Sequence, residues 1–230
     1  MPKNIEIIDT MIGLPSHDRR EIYKFLAADL RDEESGTFTM PAQYMFKDIP
    51  AEIDADADPV AVTLYNMDRF GVARAMINVG NPTRDDPARA ARTFPDRFLP
   101  CLDIDPRNGV EEIRRIRRYH DEFGLVALTT FPAGCRTSIN AAPYYPIYAT
   151  CVELDIPIFV NVGVPGPRIP LEPQKVEHLD EVRVVAEVAA EFLPLRGRPP
   201  RHRHGAAVEV DAGLAHPPRD RAAHLVLAGV

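Results

Sequence analysis

Phe98-Leu99-Pro100-Cys101-Leu102-Asp103-Ile104 and Leu125-Val126-Ala127-Leu128-Thr129-Thr130-Phe131 are two short apolar runs joined by the helical pattern of Gly109 to Phe123. Near-continuous apolar runs belong to strands covered on both faces, so this strand, helix and strand read as one unit of a parallel sheet. The alternation extends outward to three more strand candidates, Ile5 to Thr10, Ala73 to Val79 and Ile156 to Val162. Helices are expected after four of the five. The first opens at Asp58-Pro59, an N-cap followed by Pro at the first helical position, and stops at Gly71; the others are Gly109 to Phe123, Tyr144 to Leu154, and one beginning near Gln174. Residues 14–57 form an insertion between the first strand and its helix, expected to act as a lid or a subunit contact.

The first strand ends Asp9-Thr10-Met11-Ile12-Gly13 and has no G-x-G-x-x-G turn. Five successive βα units without that turn favour an α/β fold of the (β/α)8 TIM-barrel type over a doubly wound sheet. The barrel is incomplete: a closed one takes about 250 residues. The chain has 230 residues in all, 44 of them in the first connection.

With 27 Lys and Arg against 34 Asp and Glu, net charge -7, the chain lacks the basic footprint of a nucleic-acid binder. No apolar run approaches the roughly 20 residues that cross a bilayer, and Met1-Pro2-Lys3-Asn4 leads into the first strand without a signal-peptide core, so a cytoplasmic protein is expected. The three cysteines, Cys101, Cys135 and Cys151, fit neither a disulfide framework nor a zinc knuckle. At Val182/Arg183 the composition breaks. Residues 183–230 contain 10 Ala and 5 Pro and no Lys, Ile, Met, Asn, Gln, Ser, Thr, Cys, Tyr or Trp, and they carry 7 basic and 5 acidic residues against 20 and 29 upstream. Residues 1–182 are therefore read as the partial barrel and 183–230 as an irregular, disordered or out-of-frame tail.

The ordered set Ile8-Asp9-Thr10, Pro95-Asp96-Arg97-Phe98, Leu102-Asp103-Ile104-Asp105-Pro106, Gly124-Leu125-Val126-Ala127 and Ile156-Pro157-Ile158-Phe159-Val160-Asn161-Val162-Gly163 resembles the amidohydrolase-related (β/α)8 hydrolases and decarboxylases, the group that includes aminocarboxymuconate semialdehyde decarboxylase. The resemblance implies hydrolysis or decarboxylation of a small carboxylated, amide or ring metabolite. It also implies a divalent metal such as zinc, held by an I-D-x-H-x-H strand end and a later histidine, that lowers the pKa of a bound water. Those positions here hold Met11, Gly13 and Asn161, a set that cannot replace three imidazoles, so no metal cofactor is expected. The alternative is a non-catalytic protein that binds a small acid or serves as a subunit of a homo-oligomer, or an inactive truncated fragment.

Candidate site residues sit where a barrel presents its chemistry, at the carboxyl ends of strands: Asp9, Asn78, Asn81, Asp103, Asp105, Thr129, Thr130 and Asn161, with His17, Arg84 and Arg168 on the following loops. Asp9, Asn161 and His17 are the catalytic candidates; Arg168, Asp103 and Arg84 are the substrate-binding ones. Asp103 and Asp105 are spaced to point the same way, as acid/base carboxylates require, although Asp105-Pro106 also opens turns. For Asp9 the alternative role is capping a turn or holding a loop. Asn161 can donate to and accept from a substrate carbonyl, or satisfy backbone instead. Arg168, in the stiff loop Val164-Pro165-Gly166-Pro167-Arg168, suits a carboxylate or faces solvent. His17 has the pKa for proton transfer.

In the tail, Arg201-His202-Arg203-His204 follows two prolines without a strand pattern and reads as a solvated basic segment. Read one base later, the codons available to Glu209 through Ala215 permit Lys-Leu-Met-Leu-Ala-Trp-Pro, and those of Pro199-Pro200-Arg201 permit Arg-His-Gly. Both strings resemble later parts of the same family, which is why the tail is read as frameshifted.

Overall fold

The structure is a computed structural model that describes residues 6–17, 23–38, 43–45, 54 and 56–182, together with the backbone of 225–229. Its centre is a parallel sheet in the order β1 (Ile7–Asp9), β2 (Val72–Asn78), β3 (Phe98–Asp103), β4 (Ala127–Thr130), β5 (Ile158–Val162) and β6 (Leu225–Gly229). The first five are the strands expected from the sequence, and together they make a half-barrel. The sixth comes from the tail, where the apolar run Leu225 to Ala228 pairs in register with Ile158 to Asn161 and covers the edge of β5. The remainder of the tail, including His202 and His204, lies outside the described residues.

Four helices follow the strands: α1 (Pro59–Phe70), α2 (Asp86–Thr93), α3 (Val110–Phe123) and α4 (Tyr145–Leu154). Helix α1 starts where its sequence places it. The Asp58 carboxylate accepts the Val60 amide at 3.2 Å, Pro59 needs no partner for a missing N–H, and Gly71 closes the helix at a φ of +70°. Val60, Thr63 and Met67, one helical face, are its buried residues. Residues 178–182 are also helical, beginning four residues beyond the expected Gln174, which lies instead in a 3-10 turn. No helix among the described residues is long and apolar enough to cross a membrane.

Strand alternation gives the sheet two faces. On the helix side, Ala75 and Ile77 of β2, Phe98 and Leu102 of β3, Leu128 of β4 and Ile158 and Val160 of β5 pack with Val60 and Met67 of α1, Ile116 of α3 and Ile147 of α4. On the concave side, Met76, Cys101 and Ala127 cluster with Leu99 and Phe159. The two sets occupy alternate positions, as the pleat requires.

Where β2 ends, the chain passes so close to α3 that a side chain would not fit. A Cβ on Gly80 would lie 2.2 Å from Leu102 Cδ1 and 2.3 Å from Arg115 Nη2. Leu102 is fully buried and Arg115 is held by hydrogen bonds, so neither can give way freely. Gly80→Ala is expected to destabilise the fold by about 1–3 kcal/mol through overpacking. Urea denaturation checks this, and an unchanged midpoint would show that Arg115 swings aside at no cost.

Candidate functional site

Period-two alternation carries Asn78, Asp103, Thr129 and Asn161 onto the concave face at the carboxyl ends of β2 to β5, above the apolar floor of Met76, Cys101, Ala127 and Phe159. Three of the four join in one cluster. Asn78 Nδ2 donates to Asp103 Oδ2 at 2.8 Å, and the Thr129 hydroxyl donates to Asp103 Oδ1. Asn78 is fixed in turn, because its Oδ1 accepts the Gly80 amide at 3.0 Å and the Asp103 amide at 3.2 Å. Asn161 is half-buried on the same side as Phe159, one rung beyond Thr129.

Behind the cluster stands the N-terminal turn of α3. Glu112, 1% exposed, accepts Arg115 Nη1 at 2.7 Å, Asn108 Nδ2 at 2.9 Å and the Asp105 amide at 3.3 Å. Arg115 also donates to the main-chain oxygens of Asp103 and Gly80, both at 2.9 Å. One buried ion pair thus ties together the loops that follow β2 and β3.

Burial raises the Asp103 carboxyl above its ordinary range, with the Thr129 hydroxyl, Arg115 and Asn78 pulling it back. Protein atoms crowd this carboxylate although the residue is exposed, because the concave face is open and water reaches it. That access moderates the rise. Asp105 goes the other way. Burial opposes its charged form, but hydrogen bonds from the Arg107 side chain and amide outweigh it and hold the carboxyl low. The two aspartates are therefore not the paired carboxylates that their spacing suggested. Past the end of β3 the chain turns, and Asp105 caps a 3-10 turn with its oxygens bound to Arg107 at 2.6 and 2.8 Å. Burial lifts the Cys101 thiol well above its usual range and pushes Cys135 up to about 12, which disfavours the thiolate form that acts as a nucleophile.

The other expected site residues lie apart from this cluster. Asp9, opposite Ala75, accepts the Met11 amide at 2.9 Å and closes its own turn. Met11 is 61% exposed and Gly13 is exposed beside it, and His17 is exposed on the following loop. Thr130 points to the helix side and bonds the Tyr144 hydroxyl at 2.8 Å. Asn81 accepts the amide and hydroxyl of Thr83, both at 2.9 Å. Arg84 binds Asp86 and the main-chain oxygens of Leu14 and Pro15 at 3.1 and 2.8 Å, so it fastens the start of the insertion. A cavity of about 390 Å3 beside Asn81, Arg84 and Tyr119 lies between the β2 loop and helices α2 and α3. Its arginines are engaged, Arg84 with Asp86 and Arg92 with Glu122.

Arg168 is likewise drawn away from the concave face. It bonds Asp32 at 3.0 Å and Glu34 at 2.8 Å and lies 4.3 Å over the Tyr44 ring, all from the insertion. The Ser35 amide, against burial and aided by the Ser35 hydroxyl and Arg168, holds the Asp32 carboxyl below its usual range. Further ties are Arg31 N to Arg168 O at 2.9 Å, Tyr44 OH to Gly166 O at 2.8 Å, and Arg136 to Asp29 at 2.8 Å. Leu26 is buried with Ala133 and Ile169. The described part of the insertion is thus tied to the segments that follow β4 and β5. Glu112 and Arg115 went unseen in the sequence because their i, i+3 spacing is lost in the charge-rich run Glu111-Glu112-Ile113-Arg114-Arg115.

The donor set does not fit a divalent metal: the expected ligand positions offer a solvent-facing thioether, no side chain and a carboxamide. Among the described residues no group of three His, Cys, Asp or Glu converges.

The family model described as amidohydrolase matches residues 14–186. No curated protein matches the chain. Among solved structures, 5-carboxyvanillate decarboxylase from Novosphingobium aromaticivorans is similar at 14% identity and a TM-score of 0.54, covering 83% of this chain and 63% of its own. The same enzyme from Sphingomonas paucimobilis gives 13% identity and a TM-score of 0.54 over 82% and 65%. 2,6-Dihydroxybenzoate decarboxylase from Rhizobium is 14% identical, with a TM-score of 0.45 over 60% and 56%. The chain thus spans less than two thirds of the length of each, and at these identities the likeness is one of fold.

If Arg168 fastens the insertion, Arg168→Ala should speed amide hydrogen exchange several-fold across Tyr23 to Phe38 and leave β3 unchanged. Unaltered exchange there would show that the apolar contact of Leu26 holds the segment without the arginine.

Proposed function

Because the chain belongs to the amidohydrolase family, we propose that the concave face of its half-barrel binds a small ring metabolite bearing a carboxylate or amide, with hydrolysis or loss of the carboxyl group as the reaction class. The observation that carries this reading is the layering of the face. An apolar floor of Met76, Cys101, Ala127 and Phe159 can take the flat of a ring, and the rim of Asn78, Asp103, Thr129 and Asn161 can take its polar substituents. Solved structures of similar fold are 5-carboxyvanillate decarboxylases, which supports an aromatic carboxylate as the first ligand to try. In this role Asp103 orients or protonates, Thr129 and Asn78 hold its oxygens, and Asn161 hydrogen-bonds the ligand. Arg168, Arg84 and Asp9 act on the loops rather than on the substrate. A second reading, binding without catalysis, is favoured by the donor set at the expected ligand positions.

Turnover separates the two. Release of carbon dioxide from 5-carboxyvanillate, or hydrolysis of an amide analogue, supports the enzyme; saturable binding without turnover supports the binding protein. Asn161→Ala is expected to weaken binding of an aromatic carboxylate by about 3- to 10-fold, the loss of one hydrogen bond. Equal affinity would remove Asn161 from the site. Elemental analysis of the purified protein is expected to find no stoichiometric metal, and tightly held zinc or manganese near one equivalent would overturn the metal-free assignment.

A further inference from the structure

The centre of the concave face is a carboxylate met by neutral donors, the Thr129 hydroxyl on one oxygen and the Asn78 amide on the other. Among the described residues no cation is paired with it. Arg115 comes near, but spends Nη1 on Glu112 and the Asp103 main-chain oxygen and Nη2 on Gly80. The other titratable groups around Asp103 are Cys101 on β3, Asp105 and Arg107 just beyond it, Glu112 from α3 and Cys135 after β4. Asp105 and Arg107 neutralise each other, as do Glu112 and Arg115, and burial keeps both thiols protonated. A ligand carboxylate set against an ionised Asp103 would meet a like charge with no cation to offset it, at a cost that grows as the ring excludes water. A proton shared by the two carboxyl groups removes the repulsion and adds a charge-assisted O–H···O bond.

We propose that the concave face binds a ring carboxylate together with one proton, which Asp103 takes from solvent and shares with the ligand. The inference rests on the reading of this face as a ring-carboxylate site and adds its linkage to pH. No covalent bond is made. The free site starts with an aspartate that burial already inclines towards protonation, and a second anion inclines it further. Between the pKa of the free site and that of the complex, affinity therefore falls as pH rises; below the free-site pKa it is flat.

Calorimetric titration of the full chain with 2,6-dihydroxybenzoate, in buffers of different ionisation enthalpy between about pH 5.5 and about pH 8, tests the linkage. The expected result is uptake of about one proton per ligand and a Kd that weakens about tenfold per pH unit over the linked range. Asp103→Asn should bind with a pH-independent Kd and no proton uptake, because the amide donates without titrating. Thr129→Val removes a donor that favours the ionised form. It should move the linked range to higher pH with the uptake intact, which carries the test if Asp103→Asn fails to fold. Wild-type binding without proton uptake overturns the linkage and leaves the ring-carboxylate reading standing. Tighter binding of neutral benzamide than of the carboxylate, abolished in Asp103→Asn, overturns it in favour of an ionised acceptor. Absence of binding to the carboxylate at every pH removes the ring-carboxylate reading, and the linkage with it.

Discussion

Glu112 and Arg115 form the ion pair on which the site depends. Two charges taken from water are costly, and such a pair is favourable only when the remaining donors and lone pairs are also satisfied. Here they are. Glu112 collects the Asn108 amide group and the Asp105 backbone N–H, while Arg115 reaches the main-chain oxygens of Asp103 and Gly80. Because Gly80 follows β2 and Asp103 ends β3, the guanidinium sets the spacing of two adjacent strand ends. That spacing brings Asn78 within 2.8 Å of the Asp103 carboxylate. Removing one partner of a buried pair generally costs about 3–5 kcal/mol, since the other is left uncompensated. The lack of a side chain on Gly80 is part of the same arrangement, as the space a Cβ would take is filled by Arg115 and Leu102.

The pleat then divides the chemistry. Strands β2 to β5 bury apolar groups on the helix side, where Phe98, Leu102, Leu128 and Val160 are fully buried, and give the concave side a smaller apolar cluster and the polar groups of the rim. Along β3 the concave set is Leu99, Cys101, Asp103: apolar at the bottom, polar at the carboxyl end. Along β4 it is Ala127 then Thr129. Along β3 and β4 the gradient from floor to rim is built into alternate positions, and their polar groups meet at the carboxyl ends, where barrel folds present their chemistry.

Much of this was legible in the sequence. Five strands follow from apolar runs, and α1 follows from Asp58-Pro59 and Gly71. Helix α2 was missed although Pro87 stands in its first turn as Pro59 does in α1. Its eight residues are rich in Ala and Arg and bury only Pro87, Ala90 and Ala91, too faint an apolar stripe to stand out by periodicity. The site was half legible. Asp103 and Asn161 could be placed by strand position, and Asp105-Pro106 carried the turn signal that takes Asp105 away from Asp103, although spacing alone paired the two. Arg84 and Arg168 looked like anion-binding groups because arginine on a loop after a strand has that capacity. Arg84 in fact pairs with Asp86 two residues on, whereas the partners of Arg168, Asp32 and Glu34, follow from how the insertion folds back, a long-range matter that local pattern does not encode.

Around the concave face and its loops the local charges can be followed pair by pair. Arg107 is matched by Asp105, Arg115 by Glu112, Arg84 by Asp86, and Arg168 by Asp32 and Glu34. Asp103 is left with neutral donors alone. A carboxylate so placed is a weak point for stability, because burial favours its neutral form: its contribution is greatest at low pH, below the ordinary Asp pKa, and is lost as pH rises through the raised one. The adjoining water-accessible face limits that cost but does not supply a positive charge. Structural pairs elsewhere on the loops are closed and hold the wall of the insertion and the strand ends. If the concave face binds a ring carboxylate as proposed, Asp103 is the group whose energy the ligand changes, which would make the end of β3, rather than the loop arginines, the place where the half-barrel discriminates between molecules.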